Sequence, residues 1–191
     1  MPHDTTPSAT RERSYNGGYM DAGREAEEIV ISHFENSSGV LQYIDVRNDP
    51  LFQDREIDFT FLLKRDLPWK GLPPEFPHSV EVKSDQHVGD TGNWLFELQR
   101  INLTASPGKQ FVQGWSIRSE AEWLFLLAAP ARALHVIKFA DYRKAFLNAC
   151  QACKVDWHFT PTDQIKRTVN LLFPETFVHE MPSYKRLVLG E

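Results

Sequence analysis

Two rhythms of apolar and polar positions run along this chain. From residue 21 the rhythm is helical. Asp21 is placed to cap a helix running to about His33, with Ala22, Ala26, Ile29, Val30 and His33 on one stripe. Glu25 and Glu27 flank that stripe, Glu28 points away from it, and ENSSG ends the helix. Period two then takes over. VLQYIDV at 40–46 and EIDFTFLL at 56–63 read as strands, the second with Ile57, Phe59 and Phe61 on one face and Asp58, Thr60 and Leu62 on the other. KRDLPWKGLPPEFPH holds too many prolines for a central strand or a helix interior, so it reads as an ordered loop anchored by Trp69. SVEVKSD at 79–85 is the next strand, GDTGN at 89–93 a turn, and WLFELQ at 94–99 another strand. Residues 100–114 read as irregular, and SIRSEAEW predicts a short helix capped by Ser116 or Ser119. The wholly apolar WLFLLAA at 123–129, closed by Pro130, is a buried strand with ALHVIKF at 133–139 as its hairpin partner. DYRKAFLNAC at 141–150 returns to helical spacing at Tyr142, Ala145, Phe146 and Ala149, and TPTDQIKRTVNLLF predicts a further capped helix.

That order predicts an α/β fold with a mixed central β-sheet flanked by helices. The expected organisation is a flexible tail over 1–19, a core over 20–150, and an extension over 151–191 packed on that core. At 191 residues, 41% hydrophobic and 25% charged, the chain has the composition of a soluble globular domain. No apolar run approaches the roughly 20 residues of a membrane span. The polar start lacks the apolar segment of a signal peptide. Two cysteines make no disulfide framework, so a reducing, cytoplasmic setting is expected. The net charge of −5 argues against coating nucleic acid by bulk charge, but leaves room for a local basic cleft.

Candidate chemistry centres on SVEVKSD. Residues two apart in a strand share a face, so Glu81 and Lys83 stand side by side, about 7 Å apart. They could simply pair on an exposed edge. Asp58 gives a sharper reading. If the two strands pair, Asp58 and Glu81 converge beside Lys83. Converging carboxylates call for a cation, and hard oxygen ligands suit Mg²⁺ or Mn²⁺. A metal so held activates water and stabilises charge on a phosphate, with the ammonium orienting or deprotonating that water. Asp45, on the neighbouring strand, is the rival first carboxylate.

Asp58 followed by Glu81-Val82-Lys83 resembles the D…(D/E)-x-K motif of the PD-(D/E)XK nucleases, the restriction-endonuclease-like superfamily. Gly23 and Glu27 are similar to the GxxxE first helix of that superfamily. TGNWLFE (91–97) and SEAEWLFLL (119–127) look like segments of its small phage- or plasmid-borne members. The likeness covers about residues 20–147. It departs from the family in having Ile57 where proline classically precedes the first aspartate, and in the long proline-rich gap between Asp58 and Glu81. The resemblance implies a restriction-endonuclease-like core and a Mg²⁺-dependent endodeoxyribonuclease. Asp58, Glu81 and the Val82 backbone carbonyl would hold the metal, with Glu27 supporting it or a second ion, and Lys83 would position or activate the attacking water. DNA is the implied partner, with a homodimer as a further expectation.

Other groups carry plainer readings. Glu97 reads as an edge residue of the site or as an outward strand residue. Cys150-Gln-Ala-Cys153 with His158 lacks a fourth zinc ligand, and reads as two partly buried thiols closing a helix. His87 is a turn residue or a phosphate contact, and Asp85 lies on the Glu81 and Lys83 face. Of Trp69, Trp94, Trp115, Trp123 and Trp157, most read as core or loop anchors. Lys64, Arg65, Lys70, Arg100, Lys109 and Arg118 are candidates to track a phosphate backbone. Two further function classes stay open: a catalytically silent binding module on the same fold, and a zinc-stabilised structural protein.

Overall fold

Strand alternation decides this architecture. In the computed structural model, which describes residues 18–36, 39–63, 77–85, 88–106, 108–128, 133–161 and 166–189, strand β6 (Trp123–Ala128) is buried along its whole length. Its odd residues Trp123, Phe125 and Leu127 fill one apolar cluster, and its even residues Leu124, Leu126 and Ala128 fill another. A strand with no polar face must be covered on both sides. Here helix α1 (Gly18–Glu35) covers the odd side, and helix α5 (Phe139–Gln151) with a second sheet covers the even side.

The central sheet is mixed. Its order is β1 (Val40–Asp45), β2 (Phe59–Leu63), β3 (His78–Asp85), β6, β7 (Ala133–Lys138), β10 (Lys185–Val188). Strands β3 and β6 run parallel, with Glu81 opposite Leu124 and Lys83 opposite Leu126, and the other neighbours run antiparallel. The second sheet is ordered β5 (Phe111–Gln113), β4 (Asn93–Asn102), β9 (Lys166–Pro174), β8 (Asp156–Pro161) and is antiparallel throughout. Short helical turns complete the chain: α2 (Pro50–Gln53), α3 (Val88–Thr91), α4 (Trp115–Arg118) and α6 (Thr176–His179). Among the described residues no helix is long and apolar enough to cross a membrane.

Most expected elements are present, and the exceptions have local causes. Helix α1 starts at Gly18, so Asp21 lies inside it rather than capping it. Its buried stripe is Ala26, Val30, Ile31 and Phe34, whereas Ile29 is exposed. Strand β2 begins at Phe59, not residue 56: Glu56 adopts a left-handed φ of 52° that breaks the extended path. Ile57 therefore packs in the cluster under α5 and the second sheet, while Phe59 and Phe61 pack under α1. Residues 100–114 are not irregular, since β4 runs on to Asn102 and pairs with β5. Gly114 caps α4, and Ser119 closes it. Among the described residues of 160–173 the expected helix is absent. Val169, Leu171 and Phe173 alternate into the core, and β9 pairs with β4 from Asn93 to Asn102, so period two prevails over the helix-start signal. Residues 151–191 thus supply strands to both sheets. The tail predicted over 1–19 gives way to α1 at Gly18, and its residues 1–17, the proline-rich loop with Trp69, Lys64, Arg65 and Lys70, Pro130, and His87 lie outside the described residues.

Candidate active site

Val80 and Val82 of β3 point to the α1 side. Alternation sends Glu81 and Lys83 to the other side, between the two sheets. Glu81 is 1% exposed, and the Lys83 side chain is 26% exposed. The Lys83 ammonium pairs with Glu81 Oε1. Glu81 Oε2 is buried with no hydrogen-bond partner among the described residues.

Asp58 meets them at the end of β2. Its backbone N–H donates to the Val80 carbonyl at 2.8 Å, and its carbonyl accepts from the Val46 N–H at 3.1 Å. Its side-chain Oδ2 accepts from the Val82 N–H at 2.6 Å, taking the place of the strand partner that β2 no longer supplies. A residue hydrogen-bonded across an antiparallel pair turns both its N–H and its C=O to the same neighbour. Val82 therefore presents its carbonyl to the Asp58 side as well. The three groups named from sequence, with the Val82 main chain, come together.

Their electrostatics follow from burial. Loss of water pushes Glu81 up to about 8 against the pull of Lys83, and the Asp58 and Glu27 charges push the same way. Asp58 is also raised, first by burial, despite Lys83 and the Val82 N–H. Burial alone would lower Lys83, but the Glu81 and Asp58 charges outweigh it and hold the ammonium above the usual lysine value.

Around this centre lies a shell of ion pairs. Glu56 receives Arg118, with Arg100 at 3.7 Å and Lys83 at 3.8 Å. Glu97 is buried rather than outward: its Oε1 accepts from Arg100 Nε at 2.7 Å and from the Trp115 N–H at 3.2 Å. Ordinary alternation puts Glu97 on the face opposite Trp94 and Phe96, where α4 and Gly114 cover it, and the bulge between Glu97 and Gln99 brings Arg100 round to that same side. Helix α4 is fixed from behind by Arg143, which donates to the carbonyls of Ser116, Ile117 and Ser119. The Lys83 ammonium lies 5.5 Å from the centre of the Trp115 ring.

Glu27 does not reach the centre directly. It binds Arg47 at 3.0 Å, and Arg47 also grips Asp45 at 2.7 Å. That pairing holds Asp45 below its usual range and ties it up with Arg47, so Asp58 rather than Asp45 is the carboxylate joined to the Glu81 strand.

Among the described residues no group of three or more His, Cys, Asp or Glu side chains is arranged to hold a metal. The donor set is thus two carboxylates and a main-chain carbonyl. That suits Mg²⁺, which keeps several waters and takes one or two carboxylates plus substrate oxygens. The orphaned Glu81 oxygen fits such a role.

The chain matches no family model, no curated protein and no solved structure.

The remaining candidates separate cleanly. Asp85 accepts from the Val88 N–H at 3.1 Å, at the start of α3. Trp94, Trp115 and Trp123 are buried, and Trp157 is exposed. Cys150 and Cys153 are both exposed free thiols, not partly buried ones. Cys153 takes the left-handed position just after α5, with φ 54°. Sequence reasoning missed Glu56 and Arg47.

Proposed function

We propose that this chain is a metal-dependent nuclease of PD-(D/E)XK type that hydrolyses phosphodiester bonds in DNA. One observation carries the reading: the Asp58 and Glu81 carboxylates and the Lys83 ammonium meet where the start of β2 lies against the middle of β3, with one Glu81 oxygen buried and without a hydrogen-bond partner among the described residues. A helix, three antiparallel strands and a fourth strand parallel to the third support a restriction-endonuclease-like core.

Asp58, Glu81 and the Val82 carbonyl would hold Mg²⁺ or Mn²⁺. The ion, when bound, would supply Lewis-acid stabilisation of phosphate charge and a more acidic water. Lys83 orients the attacking water through its ammonium and offsets negative charge that develops on the phosphate. Glu27, held by Arg47 at 3.0 Å, adds negative charge near the centre without touching it. The apolar walls from Ile57, Leu124 and Leu126 keep bulk water away and strengthen every charge interaction inside.

The test is a panel of DNA and RNA structures incubated with Mg²⁺ or Mn²⁺. Cleavage of DNA is expected, and Glu81→Ala or Lys83→Ala should abolish it with the fold intact by circular dichroism. Binding without cutting under any divalent ion would replace this reading with the catalytically silent module.

A further inference from the structure

Glu56 is the one group around the site whose conformation needs explaining. It holds a left-handed φ of 52° without being glycine, an arrangement that persists only when its surroundings impose it. They do so from both sides. The Glu56 N–H donates to the Gln53 carbonyl at 3.1 Å, its carbonyl accepts from Ser119 Oγ at 3.1 Å, and the Glu120 N–H ties Arg55 at 2.9 Å. The result is a carboxylate driven among three cations.

We propose that Glu56 occupies a built-in seat for a nucleic-acid phosphate, formed by Lys83, Arg100 and Arg118, and that substrate phosphate displaces it. Three features carry this. First, one carboxylate lies among three cations and holds only Arg118 closely: Arg118 is on Oε1, Arg100 is 3.7 Å from Oε1 while gripping Glu97 at 2.7 Å, and Lys83 is 3.8 Å from Oε2 while paired with Glu81. Second, donor capacity is left over. Arg118 Nε is buried with no hydrogen-bond partner among the described residues, and a guanidinium fork is made to grip an oxyanion with two donors. A phosphate offers more oxygens than the single carboxylate that now sits there. Third, the cations face outward while the carboxylate does not. The Arg100 and Arg118 side chains are 41% and 33% exposed, against 12% for Glu56. An incoming strand reaches the cations first.

Lys83 joins this seat to the Glu81 carboxylate, so a phosphate held there lies beside the candidate scission centre. This inference rests on the nuclease reading for its choice of ligand, yet its test needs no cleavage. In the substrate-free protein, Glu56 screens the cations and fits the acidic net charge of −5. In the complex, it swings out.

The experiment is fluorescence anisotropy of a labelled 20-base-pair duplex in EDTA, where nothing is cut, over a salt series. Glu56→Gln should tighten binding about tenfold, because it removes a competing charge and keeps the shape. Arg118→Met should weaken binding and lower the slope of log K against log salt by about one. Unchanged affinity in Glu56→Gln together with an unchanged salt slope in Arg118→Met would overturn the seat and leave Glu56 a structural anchor. Should Glu56→Gln fail to fold, the Arg118→Met slope decides alone. DNA cutting by the wild type with neither variant shifted refutes the seat and spares the nuclease. Tighter binding by Glu56→Gln in a chain that never cuts supports the seat and refutes the nuclease.

Discussion

Replace Glu81 with glutamine and follow stability against pH in a chelating buffer. Glu81 rises from 4.5 unfolded to about 8 in the folded chain. A raised acid binds more protons folded than unfolded, so stability falls as pH climbs between those values. His135 works the other way. Burial, with Arg186 and His179 nearby, lowers it from 6.5 to about 4, so its effect appears only as pH drops below 6.5. Lys83 is raised, so its contribution is intact below 10.5 and lost only above. The window free of histidine effects is therefore pH 6.5 to 8. Across it, the Glu81 linkage removes about 2 kcal/mol. For a chain of this size that is about 4–8 °C in Tm. Below 6.5, Glu81 and the likewise raised Asp58 work against His135 and His33, which burial lowers, and the curve flattens. Thermal melts or urea titrations of wild type and Glu81→Gln in EDTA supply the measurement. The wild type should lose stability across the window, and Glu81→Gln should lose much less. Added Mg²⁺ should flatten the wild-type curve and leave the variant unmoved, because a cation favours the ionised carboxylate. Parallel curves for the two proteins would refute the assignment of a buried, proton-binding carboxylate at this position.

Two further predictions test the frame. Gly114→Ala should lower stability by about 2–3 kcal/mol, because its Cβ would stand 2.2 Å from the Glu97 carbonyl oxygen, and urea unfolding reads the loss. Tyr142→Phe should cost about 1–2 kcal/mol in the same assay, since the buried hydroxyl donates to the Leu95 carbonyl at 2.5 Å and meets Ser116 Oγ at 3.1 Å. An unchanged midpoint in either variant would contradict the packing described around α4 and β4.

Sequence reached furthest where one rhythm ruled a segment. The alternation in β3 put Glu81 and Lys83 on one face, and the apolar run of β6 forced a covered sheet. The α5 stripe of Tyr142, Ala145, Phe146 and Ala149 is buried as spaced. Reading failed where partners far along the chain decided. Strand β9 owes its form to β4, more than sixty residues away, and its own start resembles a helix cap. Glu56 was illegible because its role depends on a left-handed turn and on Arg100 and Arg118 arriving from other elements. The outward reading of Glu97 failed because α4, which sequence does not place, covers that face of β4 and the Trp115 N–H donates to the carboxylate.

The burial of Glu81 is the strongest physical argument that this region does something. Residues around it, including Leu124, Leu126 and Trp115, are apolar or aromatic, and an apolar side chain in its place would pack without any loss of hydration. Replacing buried ion pairs by apolar groups is often neutral or stabilising, so Lys83 and Glu81 do not serve stability well. The chain instead holds a carboxylate that is reluctant to ionise, an ammonium on one of its oxygens, and no donor for the other among the described residues. Departures from good packing concentrate where chemistry is done. On the proposed nuclease reading, a divalent cation would relieve the Asp58–Glu81 repulsion and free Lys83 for an incoming phosphate.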